Sequence, residues 1–85
     1  MKVSVSGKRM TVDIHGMRVE QARFRLESLL ESGNAAIAEM LIIHGYKGGQ
    51  KLKEMVSELN SPAIKEIRPS ALNQGQTLLY LHKRK

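Results

Sequence analysis

Val12-Asp13-Ile14-His15-Gly16 alternates apolar and polar side chains and then stops on a glycine. On an extended strand the side chains change face at every residue. Val12 and Ile14 therefore point into the core that the strand covers, and Asp13 and His15 point the other way. The polar pair sets a carboxylate beside an imidazole, which can orient a tautomer, accept a proton or hold a metal. Asp13 is the one aspartate in the chain and His15 is one of three histidines, so the pairing uses scarce residues. The strand pattern itself begins at Met10.

Downstream, Val19, Ala22, Leu26, Leu29 and Leu30 recur at spacings of three and four, which predicts an amphipathic helix. Arg18, Arg23, Arg25, Glu27 and Glu31 fill the rest of the wheel, Phe24 flanks the stripe, and Gly33-Asn34 supplies a stop signal. Ala35 to Ala38 reads as a connector or a last loose turn. Met40-Leu41-Ile42-Ile43 is a continuous apolar run, too short for a helix, and fits an interior strand with helices packed on its sheet. It ends on a second His-Gly pair, His44-Gly45. After a Tyr46-Lys47-Gly48-Gly49 loop, Leu52, Met55, Val56 and Leu59 give a second helical stripe, stopped by Asn60-Ser61-Pro62. Met40 and Met55 fall at core positions. Ile64 and Ile67 lie in a short strand closed by Pro69, and Gln76 to Leu81 reads as the last strand. Upstream, Val3 and Val5 alternate with Ser4 and Ser6 before a Ser6-Gly7 turn. Residues 1–9 are thus an N-terminal arm or edge strand, 10–82 the domain proper, and 83–85 a basic tail after a solvated His82. From Met10 the order is β-α-β-α-β-β.

Eighty-five residues make one domain with one core. The absence of cysteine excludes a disulfide framework and a thiolate zinc site, and an unstapled domain of this kind is expected inside the cell, in the cytoplasm. No apolar run reaches the ~20 residues of a membrane-spanning helix, and none resembles a signal peptide. The net charge of +6 favours a polyanionic partner, and nucleic acid is expected rather than a membrane. Phe24, Tyr46 and Tyr80 are the only aromatic residues, too few for a base-stacking platform. A monomer is expected.

Strands joined through helices lie parallel, and ligands gather at the carboxyl ends of such strands. His15-Gly16 and His44-Gly45 both fall there, so they are read as one site. Asp13, His15 and His44 are the catalytic candidates. The imidazoles would transfer protons, and Asp13 would orient His15 or bind a divalent cation. Gly45, Gly48 and Gly49 precede a helix whose first N–H groups are free, and Lys47, Lys51 and Lys53 surround that loop, a setting that suits phosphate. Gly16 and Arg18 border the same edge, and Tyr46 either stacks on a base or covers the sheet edge. A histidine that ends an apolar strand is also commonly a hydrogen-bonded plug, and Gly-Gly an ordinary turn. Rings about one phosphate apart would support shared chemistry. Rings on opposite rims, or either ring buried out of a phosphate's reach, would end the nuclease reading that rests on both and leave a small positively charged fold.

Val12-Asp13-Ile14-His15-Gly16, then Ile42-Ile43-His44-Gly45 with Gly48-Gly49, then Leu52 and Val56, then Gly75-Gln76-Thr77, resembles the small MutS-related (Smr) domain family over roughly residues 10 to 82. The resemblance implies a two-layer α/β (α+β) sandwich, a mixed four-stranded sheet with two helices, similar to the C-terminal domain of bacterial translation initiation factor three. It also implies nucleic-acid binding, with endonuclease cleavage of RNA or structured DNA in many members. Either no cofactor or a divalent cation, Mg²⁺ or Mn²⁺, would serve. The alternative is a non-catalytic module that binds RNA or the ribosome. Two positions depart from the family pattern. Tyr46-Lys47 follows His44-Gly45, where many members have a glycine two places on. Arg18 stands where many members place a helix-capping threonine.

Overall fold

β2 (Arg9–Asp13) and β3 (Glu39–Ile43) run side by side and parallel, joined through α1 (Val19–Ser32). Their register pairs Val12 with Ile42 and Asp13 with Ile43, and the Ile14 N–H donates to the Ile43 carbonyl at 2.9 Å. The two strands therefore end level, and the two His-Gly pairs leave the sheet at one edge. This computed structural model describes residues 1–32, 36–46 and 48–82. The expected features at Gly33-Asn34, Ala35 and Lys47, and the basic tail at 83–85, lie outside those residues.

The described residues form a five-stranded sheet, the four strands expected of the domain plus residues 2–6 as the edge strand, the alternative to an arm. β1 (Lys2–Ser6) pairs antiparallel with β2 through a two-residue turn at Gly7-Lys8. Gly7 takes φ +59° and Lys8 does not have positive φ, the pattern of a type II′ hairpin with glycine at its first central position. The serine–valine alternation thus continues the sheet instead of forming a loose arm. After α2 (Gln50–Ser57), β4 (Ile64–Pro69) and β5 (Gln76–Leu81) form an antiparallel pair, and β5 inserts between β3 and β4. The spatial order is β1-β2-β3-β5-β4.

Both helices pack on one face. Val12 and Ile14, Met40 and Ile42, and Leu79 bury against Ala22, Leu26 and Leu30 of α1 and Leu52, Met55 and Val56 of α2. Each buried valine, leucine, isoleucine or methionine side chain among them contributes about 1.5–3 kcal/mol by leaving water. Truncating Leu26, wholly buried, would cost about 2–5 kcal/mol. Phe24 projects from α1 into solvent and takes no part in the core. The Arg18 carbonyl accepts the first helical hydrogen bond from Ala22 at 2.9 Å, and Glu20 sets a negative charge in the first turn, where the helix dipole favours it. The opposite sheet face, with Thr11, Asp13, Leu41, Ile43, Leu78 and Tyr80, carries no helix among the described residues and is part exposed. Among the described residues no helix is long and apolar enough to cross a membrane.

Candidate active site at the carboxyl ends of β2 and β3

Asp13 ends β2 on the open face, and His15 follows on the same side. The His15 Nδ1–H donates to Asp13 Oδ1 at 2.5 Å, and the His15 backbone N–H donates to the same oxygen at 3.1 Å. A carboxylate can only accept, so this contact puts a proton on Nδ1, and in the neutral ring Nε2 carries the free lone pair. The His15 side chain is 69% exposed and that of Asp13 25%. The bond from His15 holds the Asp13 carboxyl below the usual range, with small help from the Lys2 charge. The result is an ionised carboxylate behind an exposed imidazole. Gly16 turns the chain away at φ +77°, and the Met17 N–H returns to the Ile14 carbonyl at 3.1 Å.

His44 does not join His15 at the surface. The alternation that puts Met40 and Ile42 into the core puts His44 there too, and it is 1% exposed. Its Nδ1–H donates to the Gly45 carbonyl at 3.3 Å, and its Nε2 accepts from the Thr77 hydroxyl at 2.9 Å. Burial pushes its pKa down, the nearby Lys53 charge acts in the same direction, and the ring stays neutral. The expectation of two imidazoles around one phosphate is therefore corrected. The two His-Gly pairs do share an edge, but their rings leave the sheet on opposite faces. His44 plugs the core end of the site, while His15 and Asp13 form its exposed part. The backbone beside His44 still reaches that part, since Gly45 abuts the His15 Cβ.

Thr77, Gly75 and Asn73 were not among the sequence-based site residues, yet they hold this edge together. The Gly75 carbonyl accepts from both the His44 N–H at 2.9 Å and the Gly45 N–H at 3.1 Å. Asn73 Oδ1 accepts from the Gly75 N–H at 2.9 Å. A side chain at Gly75 would press on the Gly45 and Tyr46 backbone, and one at Gly49 would overlap the carbonyl oxygens of His44 and Gly45. Gly49 is thus required by close backbone approach and is not a generic flexible turn. The signal for Thr77 lay in its strand. In Gln76-Thr77-Leu78-Leu79-Tyr80-Leu81, Thr77 shares the face of Leu79, so a buried hydroxyl needed a partner.

The Smr domain model matches residues 12–80 of this chain. The chain belongs to the Smr domain family. Its fold is similar to that of the Smr domain of Thermus thermophilus MutS2, with a TM-score of 0.66 at 20% identity over 85% of this chain and 96% of that one. No curated protein sequence matches it significantly.

This Smr domain also carries cations just after the two strand ends, one before α1 and two within α2. Arg18 and Lys51 are exposed and Lys53 is half-buried, all on the segments that follow the two strand ends. α2 begins at Gly49 with no side-chain cap and no acidic residue in its first turn, so its first N–H groups remain available to an anion. Tyr46 is 70% exposed, so the ring does not cover the sheet edge. Gly48 adopts φ +75°, which shapes the turn into α2. Among the described residues no three His, Asp or Glu side chains gather to hold a metal ion. The donor set at the edge is one carboxylate and one imidazole already bonded to each other, short of a complete metal site.

Proposed function

We propose that this Smr domain binds nucleic acid at the carboxyl edge of β2 and β3 and cuts it there, as an endonuclease whose acid–base pair is Asp13–His15. One observation carries the reading: an exposed imidazole held by an ionised carboxylate, with its basic nitrogen free, beside Gly45. The net charge of +6 and the cations Arg18, Lys51 and Lys53, with Lys47 in the same loop by sequence, supply affinity for phosphates. Tyr46 offers an exposed ring to a base or ribose. RNA is the favoured substrate because its 2′-hydroxyl is a built-in nucleophile. His15 Nε2 takes the 2′-hydroxyl proton, the 2′ oxygen attacks phosphorus, and the bond to the 5′ oxygen breaks. That oxygen takes a proton from the imidazolium or from water, leaving a 2′,3′-cyclic phosphate and a 5′-hydroxyl. Asp13 stabilises the transient imidazolium, and N–H donors at the start of α2 face the phosphate charge. In DNA water must attack, and Asp13 is, among the described residues, the one side chain at this edge that would hold a Mg²⁺ or Mn²⁺ ion, short of a complete metal site.

The burial of His44 favours a second reading, a cytoplasmic RNA- or ribosome-binding module with no cleavage, because it removes the second proton-transfer group. Cleavage and affinity measured side by side separate the two. With labelled RNA and branched DNA, with and without Mg²⁺ or Mn²⁺, His15→Ala and Asp13→Ala should lower the cutting rate by about 10²–10⁴ while keeping most of the affinity. A wild-type protein that binds RNA but cuts neither substrate under any of these conditions overturns the nuclease reading and leaves the binding module.

A further inference from the structure

The sheet ends in two edge strands, and the sequence protects only one of them. β4 carries Lys65, Glu66 and Arg68, ends on Pro69, and breaks register between Ile64 and Glu66. Charges, proline and a bulge are the devices that keep an edge from pairing with another chain. β1, Lys2-Val3-Ser4-Val5-Ser6, has a regular register, no proline, and its single charge at one end. It also lies outside the residues that match the Smr domain model. Val3 and Val5 pair with Val12 and Met10 and so share the face that the helices cover, yet they remain 44% and 55% exposed. The helical layer stops short of them.

The backbone of β1 is open along the same edge. In a two-residue hairpin the closing pair, Ser6 and Arg9, exchanges both hydrogen bonds, and so does every second pair after it. Ser4 and Lys2 therefore bond inward to β2, and the N–H and C=O groups of Val3 and Val5 point outward. No strand among the described residues pairs with them.

We infer that β1 is a dimerisation strand, pairing antiparallel with β1 of a second copy about a two-fold axis at Ser4. The strand is its own complement in that register. Val3 of one copy faces Val5 of the other, Ser4 faces Ser4, and Lys2 faces Ser6, so no like charges meet. The outward groups of the valines are the ones this register bonds. The four valines close into a strip continuous with Val12 and Met10 of each copy, which covers the apolar shelf that the helices leave bare. An axis perpendicular to the sheet places all the helices on one side and both Asp13–His15 pairs on the other, on one continuous sheet.

Sedimentation velocity of the full chain from about 10 µM to 1 mM tests this, because an interface of two short strands is small and associates weakly. Dimers should form with rising concentration, and exchange of the Val3 and Val5 amides should slow in step. Val5→Pro removes an edge-facing N–H that no bond to β2 uses, together with one valine of the strip, and should raise the dissociation constant at least tenfold. Ser4→Lys, an exposed change that leaves the core alone, opposes two cations at the axis and should do the same. An equimolar mixture of Ser4→Lys and Ser4→Glu chains should recover dimers that neither forms alone. A wild-type chain that stays monomeric across the range overturns the inference. So does a dimer that forms equally well in both Val5→Pro and Ser4→Lys chains, since it must use another surface.

Discussion

Replacing Thr77 by valine isolates the contact that keeps His44 in the core. The two side chains are close in shape, so the change removes little beyond the hydroxyl that donates to His44 Nε2 at 2.9 Å. Both residues are 1% exposed, which leaves no route for bulk water to replace the lost donor. The ring cannot turn to another partner without giving up its bond to the Gly45 carbonyl. An acceptor stranded in this way costs about 1–3 kcal/mol, and in a domain of this size that lowers the melting temperature by roughly 5–20 °C. Urea unfolding followed by far-UV circular dichroism should show a lower midpoint with an unchanged slope. His44→Leu strands the Thr77 hydroxyl instead and should also destabilise. The double variant removes both polar groups, so its loss should fall short of the sum of the two by about 0.5–3 kcal/mol. A Thr77→Val chain within about 0.5 kcal/mol of wild type, or single losses that simply add, would refute the claim that this bond anchors His44.

Burial lowers the pKa of His44, so the unfolded chain binds a proton that the folded one refuses. Stability is then complete above about pH 6.5 and declines as pH falls toward the folded value, by up to about 1.4 kcal/mol per pH unit. Unfolding at stepped pH should show the decline, and His44→Gln should flatten it. Asp13 acts in a lower window: its carboxyl is held down by the bond from His15, so its contribution is present above its ordinary pKa and lost in acid. Asp13→Asn should reduce the acid-side loss in the same titration. Gly49→Ala would drive a methyl group into the carbonyl oxygens of His44 and Gly45, and should cost more than the ~1 kcal/mol of an ordinary loop change and weaken nucleic-acid binding with it. Binding of RNA should weaken linearly on a log–log plot against salt concentration, and Lys51→Ala should make that line less steep. A salt-independent affinity would instead indicate a protein-docking role.

Much of the exposed half of the site was legible in five residues. Strict alternation in Val12-Asp13-Ile14-His15 told which side chains face the core, and a period of two needs no knowledge of the rest of the chain. The helix stripes read equally well, since Ala22, Leu26 and Leu30 and then Leu52, Met55 and Val56 are the buried residues. β3 is different, because Leu41 and Ile43 are as apolar as Met40 and Ile42, so the run carries no alternation to say which way His44 points. The covered face was decided by where α1 and α2 pack, and that placed His44 inside, behind Thr77, a residue 33 positions away in sequence.

Local pattern determined the elements, the parallel pairing of β2 and β3 through α1, the common edge of the two His-Gly pairs, and the outward carboxylate–imidazole pair. Those features rest on periodicity and chain connectivity, which neighbouring residues encode. Only the tertiary structure decided that β5 lies between β3 and β4, that its Gly75 and Thr77 fasten the His44-Gly45 turn, and that Gly49 must be glycine. Each of these is a contact between segments that the chain brings together only when the sheet closes and the helices settle on one face of it.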